Sequence, residues 1–189
     1  MKKFTLYILT AFGLMGLASC NDFGDVNNDP MNLNPGVVDY KMEFTQVEAQ
    51  ICGSDWDVWR NGCIYTANMI QHTASVDWAY GVFYTWNDQY SGAYWGGFYS
   101  GGRAAIRNII DVMNNWEGNP AYANEYQMCR ILKAYMFQNM TDLYGDVPYS
   151  EAGQGYSTNP IPYPKYDTQE AIYNDLLKEL DEAQAALSR

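Results

Sequence analysis

Trp78, Tyr80, Tyr84 and Trp86 recur at even spacings and run directly into Asn87 and Asp88. In an extended chain, even spacing puts side chains on one face. Four rings on one face, with an amide and a carboxylate beside them, suit a sugar: its C–H faces stack on indole and phenol, and its hydroxyls bond to Asn, Asp and Tyr. These six residues are the candidate ligand-binding set. They sit in a window, residues 77–99, where ten of 23 residues are aromatic and none is Lys, Arg or Glu. The same window holds Asp77 and Asp88, and two carboxylates among aromatic rings are also what a glycosidase uses. With 22 acidic residues in the chain that coincidence carries little weight, and no nucleophile or phosphate-loop signature accompanies it. Binding without catalysis is the expectation, with a glycoside hydrolase as a remote alternative.

Other chemistries are excluded more simply. His72 is the only histidine, and Cys20, Cys52, Cys63 and Cys129 fit no zinc spacing, so neither a metal nor a cofactor is expected. A formal net charge of −11 argues against nucleic acid, which a protein grips with a basic face. The N-terminus, "MKKFTLYILTAFGLMGLASC", has two lysines, a short apolar run and small residues before Cys20. This is an export signal, too short to span a bilayer well. Its end, Leu17-Ala18-Ser19-Cys20, resembles a bacterial lipobox, which implies cleavage before Cys20 and lipid attachment to it. Removing Lys2 and Lys3 makes the mature chain still more acidic. Of the remaining cysteines, Cys63 and Cys129 fall on apolar helical faces and are expected buried. Whether Cys52 pairs with Cys63 is open.

The elements that position these residues are helices. Residues 20–35 lack apolar periodicity and read as an extended tether. Val37, Tyr40, Phe44, Val47 and Ile51 form one stripe, ended at Gly53. Ser54 suits an N-cap for a second helix with the stripe Trp56, Trp59, Cys63, Ala67, Ile70 and Ala74, and the short connection predicts a hairpin of the two. Beyond Tyr90, the residues Tyr94, Phe98, Gly102, Ala105 and Ile109 keep helical spacing, so these aromatics read as helix packing. The glycines at 96, 97, 101 and 102 would allow close approach. Val112, Met113 and Trp116 complete that stripe. Gly118, Asn119 and Pro120 break it and start the next, running Tyr122, Tyr126, Cys129, Leu132, Met136, Met140 and Leu143 to Gly145. Asp167 with Glu170 predicts a capping box for a last helix with Ile172, Leu176, Leu177, Leu180 and Leu187 on one side, part of that face without a partner. No alternation is long enough for a substantial sheet. The fold class is all-α, built from helix pairs with long irregular aromatic-rich loops.

Three stretches together resemble the SusD/RagB family of outer-membrane lipoproteins from Bacteroidetes. They are "DFGDVNNDPMNLNP" behind the lipobox (residues 22–35), "QMCRILKAYMFQNMTDLYGDVPYSEA" (127–152) and "YDTQEAIYNDLLKELDEAQAAL" (166–187). The stretch "DLYGDVPYSEA" needs no ligand to account for it: Gly145 permits a left-handed helix stop, Pro148 stiffens the exit, and Tyr144 and Tyr149 can pack back. The resemblance implies tetratricopeptide-like helix pairs at the cell surface, lipid-anchored to the outer membrane. It also implies partnership with a SusC-like TonB-dependent transporter and capture of a glycan or, in some members, a peptide. A protein-interaction role, capping the transporter without glycan affinity, is the alternative. Family members are longer, so the expected organisation is a leader (1–19), a tether (20–35) and the N-terminal part of a SusD-like helical domain (36–189).

Overall fold

A computed structural model of the chain describes residues 39–51, 53–100, 104–156 and 159–187. The expected leader, the lipid-attachment Cys20, the tether, Cys52, Gly101 and Gly102 lie outside the described residues.

Asp39 starts the first helix, its carboxylate accepting from the Lys41 amide at 3.0 Å. Helix α1 (Tyr40–Gln50) buries Phe44 and Val47, and Gly53 at φ +74° turns the chain away. The second helix, α2 (residues 55–69), is composite: one turn at Asp55–Asp57, a π-helical stretch at Val58–Thr66 and a last turn at Ala67–Met69. Two short helices follow a long turn, α3 (Asp88–Ser91) and α4 (Ala93–Tyr99). Then come α5 (Ala105–Trp116), α6 (Ala123–Tyr144) and α7 (Gln169–Ala186). Among the described residues the only sheet is a two-stranded clasp, β1 (Val147–Pro148) antiparallel to β2 (Tyr166–Asp167), with Val147 opposite Asp167.

The core is one cluster. Phe44 and Val47 from α1, Phe98 from α4, and Ile106, Ile109, Val112 and Trp116 from α5 meet Met136, Phe137 and Met140 of α6 and Ile172 of α7. Antiparallel pairing of α1 with α5 shows in Phe44 against Trp116 (5.6 Å) at one end and Asn108 bonded to Gln50 at the other. Helices α6 and α7 are also antiparallel: Gln169 donates to the Thr141 carbonyl (2.7 Å), while Arg130 grips Glu179 (2.8 Å) and Glu182 (2.6 Å). The expected helix pairs and the lack of a substantial sheet match this architecture.

Several details differ from the sequence reading. Helix α1 packs on α5, and α2 packs on α3 and α4, so the hairpin expected from the first two helices is not the main pairing. The reason is polarity: α2 turns Asp57, Asn61 and Asn68 inward, and these need backbone partners that the 87–94 segment and α2 itself supply. The stripe expected to run on from Phe98 into Ala105 is interrupted. Ser100 is extended and Ala104 sits at φ +37°, so α4 ends at Tyr99 and α5 starts at Ala105. Gly97 is buried as expected, but Gly96 is exposed with open space around it.

At the last helix the cap is Thr168, whose hydroxyl accepts from Ala171 N, rather than Asp167. Asp167 instead accepts from both the amide (2.7 Å) and hydroxyl (2.8 Å) of Ser150, closing the clasp. Of the stripe expected there, Ile172 and Leu176 are buried, while Leu177 and Leu180 are exposed. Cys129 is buried, and burial pushes its thiol up to about 12. Cys63 is exposed, contrary to expectation, because α2 presents that side outward. No helix among the described residues is long and apolar enough to cross a membrane.

Candidate ligand-binding surface

Helix α2 is held from its inner side. Ser54 Oγ accepts from the Asp57 amide, and the Asp57 carboxylate accepts from Ser54 N at 2.8 Å, a reciprocal cap. Two turns on, with its amide nitrogen facing the carbonyls, Asn61 donates to Tyr90 O and Ser91 O and accepts from Tyr94 N, each at 3.2 Å. Asn68 donates to Ile64 O (3.1 Å) and accepts from Thr73 Oγ1 (2.8 Å). Because the polar residues face in, the tryptophans face out: Trp56 is 63% exposed and Trp59 half-buried. The π-helical stretch beneath them is itself an unusual local form, of a kind that recurs at functional sites.

Residues 76–84 then fold across α2 as a succession of turns. Gly81 is the contact point. Its amide donates to Ile64 O at 3.2 Å, and a Cβ there would meet that same carbonyl at 2.4 Å and Tyr65 O at 2.8 Å. Only glycine allows this approach. On either side of it Trp78 and Tyr84 take left-handed backbone, φ +48° and +53°, a conformation that bulky side chains adopt rarely and at a cost of about 1–2 kcal/mol each. Such strain persists where the surroundings hold it and is often kept at functional sites.

The result is a row of rings set edge to face: Trp56 on Trp59 (5.4 Å), Trp59 on Trp78 (5.2 Å) and Trp59 on Tyr90 (5.9 Å). Tyr80 lies over Tyr65 (6.4 Å) and against Tyr90 (5.5 Å), forming the inner border. Arg60 is set among the rings, its Cζ 5.5 Å from the Trp56 centroid and 5.9 Å from that of Tyr90.

The six expected residues therefore do not line one extended face. Trp78 (50% exposed) belongs to the tryptophan row and Tyr80 backs it. Tyr84 points elsewhere, donating from its hydroxyl to Met69 O at 3.0 Å. Trp86, 72% exposed, donates from Nε1 to Asp88 and borders a shallow recess with Ser91, Trp95 and Tyr144. Asn87 is the N-cap of α3, its side-chain oxygen taking the Gln89 amide at 3.1 Å. The even spacing misleads because the Gly81–Ile64 bond folds the stretch back on itself. Trp56, Trp59, Arg60 and Tyr90 were not in the expected set. Spacing alone does not mark them: Asn61 and Asn68 go inward because backbone groups of residues 90, 91, 94 and 64 satisfy their amides, and that leaves the tryptophan side wet.

Asp77 and Asp88 are both exposed, whereas a glycosidase acid is sheltered from water. A groove of about 290 Å³ between α6 and α7, lined by Ile131, Tyr135, Leu176, Leu177 and Leu180, is almost wholly apolar and offers little to orient a sugar. No group of three or more His, Cys, Asp or Glu suited to a metal occurs among the described residues.

The "DLYGDVPYSEA" stretch is structural, as read. Gly145 stops α6 at φ +74°, and the Tyr144 hydroxyl donates to Ser91 O (2.7 Å) and accepts from Trp95 N (3.2 Å), tying α6 to the aromatic window. Tyr149 packs edge-on against Phe137 (4.7 Å) and donates to Asp175 (2.6 Å). Burial, with the Asp175 carboxylate, pushes its hydroxyl far above the usual phenol range.

Helix pairs around one core, with an exposed aromatic row beside a strained turn, define an all-α scaffold. The chain belongs to the SusD-like family described as starch-binding and associating with the outer membrane, which matches residues 37–189. It is similar to a solved chitin-binding protein, with 33% identity and a TM-score of 0.65 over 78% of this chain and 30% of that one. It is also similar to a SusD-like protein from Bacteroidetes AC2a, at 29% identity and a TM-score of 0.64, over 80% of this chain and 27% of that one. The chain thus spans under a third of the length of either. No curated protein matches it.

Proposed function

We propose that the chain is part of a non-catalytic, cell-surface nutrient-binding lipoprotein that captures a glycan on the Trp56–Trp59–Trp78 row. The glycan would be handed to a SusC-like TonB-dependent transporter in the outer membrane. In this reading residues 1–19 are a leader, Cys20 carries the lipid, residues 20–35 are the tether, and residues 36–189 are the body.

One observation carries it: three indoles in edge-to-face contact on the water side of α2, two of them at least half exposed. A soluble protein gains nothing in stability from leaving such area wet, whereas a sugar ring has flat C–H faces to cover it. The family's description as starch-binding and the neighbour's as chitin-binding support the same class of ligand.

Affinity electrophoresis through gels containing soluble starch or glycol chitin tests it. The wild type should be retarded by at least one of them, and Trp56→Ala or Trp78→Ala should each weaken retention about tenfold, or 1.4 kcal/mol. Trp86→Ala should weaken it less, because that indole makes no ring contact with the row among the described residues. Unchanged retention in Trp56→Ala and Trp78→Ala would remove the site from this surface.

A further inference from the structure

We infer that the aromatic row is built for a saccharide bearing one acidic group, a hexuronate being the simplest class, and that Arg60 is the residue that recognises it. This deepens the glycan-binding reading and rests on it.

Arg60 is the only Lys or Arg between Lys41 and Arg103, a stretch that contains Asp55, Asp57, Asp77 and Asp88. Despite those carboxylates it makes no ion pair among the described residues, unlike Arg130, which is held by two glutamates. Its guanidinium is placed by rings, with Trp56 and Tyr90 within 6 Å. Its Nε is shut from water without a hydrogen-bond partner, and its terminal nitrogens make no hydrogen bond to the described residues.

That combination is unusual for a purely structural arginine. A guanidinium used only for support in an acidic protein would find one of the nearby carboxylates. Here two rings hold the group beside the stacking surface, and its terminal N–H donors are not taken up by the described residues. A fixed guanidinium fork matches a carboxylate with two parallel bonds, and neighbouring rings reduce the competing water. A sugar stacked on Trp56 or Trp78 and carrying a carboxylate could thus be held by its ring face and its charge together. The exposed Asp55 and Asp77, adjacent in the chain to Trp56 and Trp78, disfavour further negative charge around the site. The surface therefore suits a single acidic substituent per bound unit rather than a dense polyanion.

The test uses matched probes that differ at the carboxyl group alone, ionised in one and methyl-esterified in the other. These are an oligogalacturonide and a glucuronate-containing oligosaccharide, each beside its fully methyl-esterified form, titrated into the full chain and into Arg60→Gln. The acidic member should bind the wild type about tenfold more tightly than its ester. Arg60→Gln should abolish that preference by weakening the acid alone, leaving ester binding within about twofold. Equal binding of acid and ester by the wild type would overturn the inference, and that comparison stands even if Arg60→Gln does not fold. Equal weakening of both probes in Arg60→Gln would also overturn it, since a residue that merely props the rings would act that way. Retention of neutral starch or chitin with neither acidic probe bound would overturn it while leaving the aromatic site intact. Loss of that site would show separately, as insensitivity of all binding to Trp56→Ala.

Discussion

Trp116 and Trp56 are one side chain in two settings, and the contrast sets the residue-scale predictions. Trp116 is 3% exposed, tilted on Phe44 and stacked on Tyr122 at 5.1 Å, so Trp116→Ala should cost about 3–5 kcal/mol in urea unfolding. Trp56, 63% exposed, should cost less than about 1 kcal/mol when replaced by Ala, although it is predicted to carry ligand. Helical spacing alone could not separate the two: both fall in a stripe at three- and four-residue intervals. What separates them is the opposite side of each helix. Around Trp116 the alternative face is charged and wet, whereas α2 has Asn61 and Asn68 whose amides find partners in the chain, so that face goes inward and the tryptophans go out. Such a decision depends on partners distant in sequence, which periodicity does not register.

At the scale of elements, the turn that carries Trp78 depends on one close approach. Gly81→Ala would drive a methyl into the Ile64 and Tyr65 carbonyls, with a cost of about 1–3 kcal/mol, and should displace Trp78 from Trp59. Glycan retention should therefore fall in Gly81→Ala even where the far-ultraviolet spectrum is unchanged; full retention would show that the turn does not position the site. The α6–α7 pair gives a pH prediction. Arg130's guanidinium holds the Glu179 carboxyl below its ordinary value of 4.5. The unfolded chain then binds this proton more tightly than the fold does. The pair's contribution is fully present above that ordinary value and is lost as pH falls through the lowered folded value. The stability gap between wild type and Glu179→Gln should be about 1–2 kcal/mol at pH 7 and close on acidification, measured by urea unfolding across pH 2–7. Helix starts and stops were largely legible because caps are local chemistry: Ser54, Asn119 and Pro120, Gly53 and Gly145 all act as their types predict. The last helix starts one residue later than its sequence predicts, since Thr168 competes with Asp167 and the Ser150 clasp claims the carboxylate. Pairing of helices was less legible, because which helix α1 meets is set by the whole core.

At the scale of the molecule, the all-α class and the family were readable from apolar stripes and from the stretch around Gly145, which the structure uses to bind α6, α7 and the aromatic window together. The candidate site was half readable. Composition marked the window, but the fold discards the expected single face and adds Trp56, Trp59, Arg60 and Tyr90. Cys20→Ala should release the full-length protein from the membrane fraction in a lipoprotein-processing host; retention there would remove the proposed anchor. The measurement that bears most directly on the ligand surface is hydroxyl-radical footprinting of the full chain with and without a saturating oligosaccharide, maltohexaose or chitohexaose, whichever is retained. Trp56 and Trp78 should oxidise readily in the free protein and Trp116 hardly at all, and ligand should protect Trp56 and Trp78 several-fold. Ligand binding that leaves both as reactive as before, with protection elsewhere, would contradict the assignment of the glycan to the tryptophan row.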